Sequence, residues 1–122
     1  MTARDFAEKI QWLGHDGFRI EAGQTIYFDP YEIGGGPAAD VILVTHEHFD
    51  HCSPEDVNKI KRDGTAIITE KDSAAKLSGD VRVVKPGDSV SVGDLSIEAV
   101  PAYNTNKTFI PKKRLAWIYR QH

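Results

Sequence analysis

The run His46-Glu47-His48-Phe49-Asp50-His51 concentrates three of the five histidines of the 122-residue chain, with an aspartate, in one short loop. Imidazole and carboxylate are the ligands that a borderline metal such as zinc takes. His46 and His48 are two apart, so in an extended segment their rings project to one side and can share an ion. Asp50 and His51 follow once the chain begins to bend, and can face a second ion beside the first. Two metals about 4 Å apart can hold a bridging hydroxide as nucleophile and polarise the group it attacks. Asp50 can also orient that hydroxide and take part in proton transfer, which makes it the candidate catalytic residue.

The elements around the loop place it at a sheet edge. Lys9 to Leu13, Phe18 to Glu21 and Thr25 to Phe28 read as an antiparallel meander, ended by Asp29-Pro30. Gly34-Gly35-Gly36-Pro37 is a loop and a poor phosphate cradle. Val41 to Thr45 is a continuous apolar strand, as expected when both sheet faces are covered. After the loop, Ser53 can cap a helix, Pro54 suits its first position and Asp56 gives a capping-box spacing. Glu55 and Lys59 form an i,i+4 pair, and Gly64 can stop the helix. A strand at Ala66 to Thr69, a helix at Lys71 to Leu77 and a strand at Val81 to Val84 complete a β-α-β-α-β series with parallel strands. Ser89 to Val92 and Leu95 to Val100 form a hairpin around Gly93-Asp94, and Leu115 to Tyr119 is a last strand. The expectation is a single α/β domain over residues 1–122, a mixed sheet with outer helices. The histidine loop then lies at the carboxyl end of a central strand, the edge where α/β sheets bind ligands.

Bulk composition narrows the setting. Net charge is −3, which gives no reason to expect a nucleic acid partner, and no window approaches the roughly 18 apolar residues of a membrane span. Cys52 is the single cysteine, so a reducing cytoplasm is the expected location.

The pattern His46-x-His48-x-Asp50-His51 after an apolar strand resembles the metal motif of the metallo-β-lactamase superfamily. Trp12-Leu13-Gly14-His15, Phe28-Asp29-Pro30, Thr45 to His51 and Val100-Pro101-Ala102-Tyr103-Asn104 resemble the branch of metal-dependent hydrolases related to L-ascorbate-6-phosphate lactonase. The resemblance covers the chain from residue 9 on. It implies an αββα sandwich, one or two Zn2+ (or Mn2+) ions, and hydrolysis of an ester, lactone or phosphoester in a small-molecule substrate. It also implies that this chain is the N-terminal half of such a sandwich. A bridging aspartate and a further histidine would then come from the other half. The position for a third histidine on the first metal falls here on Asn104 or Ile110, neither of which is a strong ligand. The expected site is therefore incomplete in this chain, with His15, Asp29 or His122 available to complete it or a ligand arriving from another subunit. A half-sandwich with an open sheet face is expected to form a homodimer, each copy covering the other.

Other residues carry two readings each. His15 is either near the metal cleft, as the resemblance implies, or an exposed turn residue. Asp29 either hydrogen-bonds a metal-bound histidine or caps a turn. Cys52 reads as a small buried filler. Lys107, Lys112, Lys113 and Arg114 read as a solvated basic loop rather than an RNA or phosphate contact. The leading functional reading is a metal-dependent hydrolase; the alternative is a non-catalytic, self-associating half-domain that binds metal.

Overall fold

The computed structural model describes residues 10–14, 17–21, 23–46, 51–101 and 115–121. Six strands form one mixed sheet in the order β1 to β6: Ile10–Trp12, Phe18–Glu21, Thr25–Phe28, Val41–Leu43, Ala66–Thr69 and Asp80–Val83. The first three are antiparallel neighbours, with Trp12 opposite Phe18 and Phe18 opposite Phe28. From β3 onward every pair is parallel, with Tyr27 beside Ile42 and Ile42 beside Ile67. A second, antiparallel sheet holds β7 (Ser89–Val92), β8 (Leu95–Pro101) and β9 (Leu115–Gln121).

The monotonic strand order decides which layer covers which face. Parallel connections are right-handed, so a series that always steps in one direction puts its crossovers on one side. Residues alternate across the sheet accordingly. Tyr27, Ile42, Val44 and Ile67 point to the crossover side, where they pack with Ile33, Ala39, Val57 and Ile60. Ile26, Val41, Leu43 and Ile68 point to the other side, against Leu95, Ile97 and Ala99 of the small sheet. Both faces of the large sheet are thus covered within the chain. Among the described residues, exposed large apolar side chains lie at the β1–β2 margin, where Ile10, Trp12 and Phe18 are 36%, 65% and 41% exposed, and at Val83 of β6, which is 55% exposed.

The first helix, α1 (Pro54–Ile60), starts as its sequence predicts: Ser53 is the N-cap and its Oγ accepts from the Asp56 N–H at 3.3 Å. Three details differ. The helix ends at Ile60, well before Gly64, because the Ile60 carbonyl accepts from Ala39 N–H in the crossover and Lys61 turns extended. Gly64, at φ +91°, belongs to the following turn into β5. Lys59 bonds Asp56 and the Ile33 carbonyl, where the spacing alone suggested a pairing with Glu55. The second helix, α2 (Lys71–Ala74), is capped by Glu70, whose carboxylate accepts from Asp72 and Ser73 N–H, both at 2.6 Å. It is shorter than the expected Lys71 to Leu77 because the chain tightens into i→i−3 bonds from Lys76 and Leu77.

Candidate metal centre

The large sheet delivers two adjacent strand ends, those of β3 and β4, to one place. Asp29 follows β3 and is 4% exposed; its N–H donates to the Leu43 carbonyl at 2.9 Å. It sits at φ +43°, a left-handed conformation that Asp tolerates better than most residues. Proline at the next position adds to the restriction, so the surroundings must hold Asp29 there. Gly17 permits this: a Cβ on it would lie 3.1 Å from the Asp29 carbonyl oxygen.

Thr45 and His46 follow β4. The Asp29 carboxylate takes three donors from this side and from the chain beyond. Its Oδ1 accepts from Thr45 N–H at 2.7 Å. Its Oδ2 accepts from Thr45 Oγ1 at 2.7 Å and from His51 Nδ1 at 2.8 Å. Thr45 Oγ1 also lies 2.9 Å from His46 Nδ1 and 3.4 Å from His51 Nδ1.

These bonds assign the tautomers. A carboxylate only accepts, so the proton between Asp29 and His51 sits on Nδ1 of His51. The Thr45 hydroxyl has one hydrogen, given to Asp29; toward His46 it accepts, so His46 also carries its proton on Nδ1. Both rings would then coordinate through Nε2, the arrangement in which a hydrogen bond behind the ring fixes its orientation and raises its basicity. The two rings are buried, 3.9 Å apart between centroids and inclined at 42°.

His46 and His51 are therefore brought together, with Asp29 behind them. His15, His48, Asp50 and His122 lie outside the described residues, as do Asn104, Ile110 and the basic positions 107 and 112–114. Among the described residues no group of three or more His, Cys, Asp or Glu is arranged to hold a metal. The donor chemistry of the described part fits a metal nonetheless: two buried imidazoles side by side, each hydrogen-bonded at Nδ1. Cys52, next to His51, is 2% exposed, and burial pushes its thiol pKa up against the opposing hydrogen bond to Ser73. It is a packed thiol, as the sequence suggested.

Two residues of the site escaped the sequence reading. Thr45 stands in the sequence as a strand end and the first residue of the histidine motif, with no role of its own, yet its hydroxyl links Asp29 to His46. The spacing of Asp56 from Ser53 suggests half of a capping box. Glu or Gln at that position can reach back to the cap's own N–H, but aspartate is one methylene shorter. Its carboxylate instead accepts from Glu32 and Ile33 N–H, each at 3.0 Å.

Comparison with known proteins agrees with this architecture. The family model for the beta-lactamase superfamily domain matches residues 9–122. A UPF0173 metal-dependent hydrolase of Ruegeria sp. is 32% identical over 115 residues, covering 80% of this chain and 49% of that protein. Its counterpart in Thermoplasma volcanium is 34% identical over 110 residues, covering 80% and 48%. A crystal structure from Parabacteroides distasonis, assigned as a metal-dependent hydrolase, superimposes with a TM-score of 0.81 at 34% identity, covering 92% of this chain and 55% of that one. A diiron β-hydroxylase from Streptomyces venezuelae, 18% identical with a TM-score of 0.72, shares the fold. The chain spans about half the length of the curated relatives it matches. It belongs, on its sequence match and its fold together, to the metallo-β-lactamase superfamily.

Proposed function

We propose that this chain carries the metal-binding part of a metal-dependent hydrolase acting on an ester, lactone or phosphoester. The observation that carries the proposal is the Asp29–Thr45 hub, which fixes His46 and His51 side by side with Nδ1 protonated. Histidines that serve only as core residues do not need a shared carboxylate and matched tautomers. Rings this close can serve one ion together, or two ions about 4 Å apart. His46 and His51 would hold the metal with His48 and Asp50 of the same loop. When bound, such a metal polarises the attacked carbonyl or phosphoryl and acidifies water toward a pKa of about 7. The chain's own contribution is orientation: Asp29 takes up the partial positive charge that develops on the His51 ring, and Thr45 passes the same effect to His46. Zn2+ is the first choice for imidazole and carboxylate ligands, with Mn2+ second. Among the described residues no helix is long and apolar enough to cross a membrane. The buried single cysteine suits a reducing cytoplasm as the place of action.

The test is metal content. Near-stoichiometric zinc or manganese that is lost in His46→Ala and in His48→Ala supports the proposal. A wild-type chain that takes up neither metal would overturn it.

One observation favours a second reading, a self-associating half-domain without turnover of its own. Ile10, Trp12 and Phe18 present exposed apolar surface at the sheet margin, a feature of association surfaces. A metal-loaded chain that is dimeric in light scattering and inert toward ester, lactone and phosphoester substrates would select it.

A further inference from the structure

Two segments flank the candidate metal centre, residues 29–33 after β3 and residues 51–56 leading into α1. Each sends a carboxylate to the other. Asp29 of the first accepts from His51 Nδ1 of the second at 2.8 Å. Asp56 of the second reaches back: its Oδ2 accepts from Glu32 N–H and its Oδ1 from Ile33 N–H, both at 3.0 Å. The returning contact is reinforced. Ser53 Oγ donates to Asp56 Oδ2 at 2.6 Å, and Lys59 Nζ bridges Asp56 Oδ1 at 3.2 Å and the Ile33 carbonyl at 2.8 Å. Asp56 is 4% exposed, so the contact is shielded from competing water.

The 29–33 segment needs such a tie. Asp29 and Glu32 both have left-handed φ values, +43° and +52°, which side-chain-bearing residues rarely adopt. Local preference therefore pulls this segment away from the shape that aims Asp29 at His51. We propose that Asp56 is a positioning residue for the metal centre, holding Glu32 and Ile33 so that the Asp29 carboxylate stays on His51 Nδ1. Asp56 touches neither ring; it acts through the backbone three residues beyond Asp29. The proposal rests on His51 as a metal ligand only for its functional consequence, not for the geometry.

The test reads His51 directly in the metal-free chain, by long-range proton–nitrogen NMR of the imidazole nitrogens. In the wild type His51 shows the Nδ1–H tautomer. In Asp56→Asn that signature is expected to average between tautomers, and zinc affinity to fall about tenfold, the lower end for loss of support behind a ligand. Asp40→Asn is the control. Asp40 closes the far end of the same crossover, accepting from Thr25 N–H at 2.8 Å and pairing with Arg62. Its loss should lower stability while leaving His51 and zinc affinity unchanged. The proposal is overturned if Asp56→Asn destabilises the chain without altering His51, or if Asp40→Asn alters His51 equally. Should Asp56→Asn give no dispersed spectrum, Lys59→Met replaces it, with a smaller shift of the same kind expected and an unchanged His51 overturning the proposal. A tautomer change in a chain that binds no zinc would sink the metal reading and leave the positioning role standing.

Discussion

Asp29 accepts at both oxygens, from Thr45 N–H at Oδ1 and from the Thr45 hydroxyl and His51 Nδ1–H at Oδ2, so an amide in its place must fail one side. In Asp29→Asn, the side-chain oxygen can serve Thr45 N–H or the His51 side, and its NH2 then meets another donor. The expected outcome is a loss of about 10–100-fold in zinc affinity, measured by competition with a chromophoric chelator. Asp56 makes a different prediction, in pH. Burial pushes its carboxyl pKa up, but hydrogen bonds from Ser53, from Glu32 and Ile33 N–H and from Lys59 outweigh that and hold it below the ordinary 3.8. A carboxylate with a depressed folded pKa adds stability in full above its unfolded value and loses it as pH falls through the folded one. Urea midpoints should therefore drop as pH falls below about 4, and Asp56→Asn should lose less over the same interval. The sequence displayed the histidines and, through a family resemblance, Asp29. It hid Thr45 and the reach of Asp56, because both act by hydrogen bonds to residues 16 or more positions away.

At the scale of elements, α1 links the site to the core. Its Val57 and Ile60 are 1% exposed and pack against Tyr27, Ile42 and Ile67, while its first turn holds Asp56. Ile60→Ala should cost about 2–5 kcal/mol by calorimetry or denaturant melts, as truncation of a buried isoleucine does. Gly36→Ala is a second case. Its φ is +151° and a Cβ would stand 2.7 Å from the buried Tyr27 hydroxyl, which donates to the Pro37 carbonyl. The substitution must displace either the loop or Tyr27, and a loss of about 1–3 kcal/mol is expected in the same melts. Strands with strong period or apolar runs were legible: β3, β5 and the β7–β8 hairpin lie where the pattern put them. Helix ends were less so. The carbonyl of Ile60 is taken by Ala39, a partner that only the folded crossover supplies.

For the whole molecule, the sequence predicted parallel strands and outer helices, and both are present. It did not predict that the β7–β8 hairpin and β9 would leave the large sheet and pack across its second face. Alternating apolar residues in Ser89 to Val100 specify a half-buried hairpin, but not which surface buries it. The exposed apolar margin at Ile10, Trp12 and Phe18 is the surface we propose for self-association. If it occurs there, Trp12→Ser should lower the mass measured by light scattering; an unchanged dimer would place the contact elsewhere.

The consecutive strand order, β1 to β6 and then β7 to β9, also has a meaning in time. Among the described residues every strand pairs only with strands next to it along the chain, so ordering can proceed from one end. Domains on a ribosome appear N-terminus first, at about 5–20 residues per second. Asp29, Thr45, His46 and His51 all lie in the first 51 residues of the chain. The histidine rings can thus meet their carboxylate once β4 and α1 have emerged, before the small sheet has followed them out.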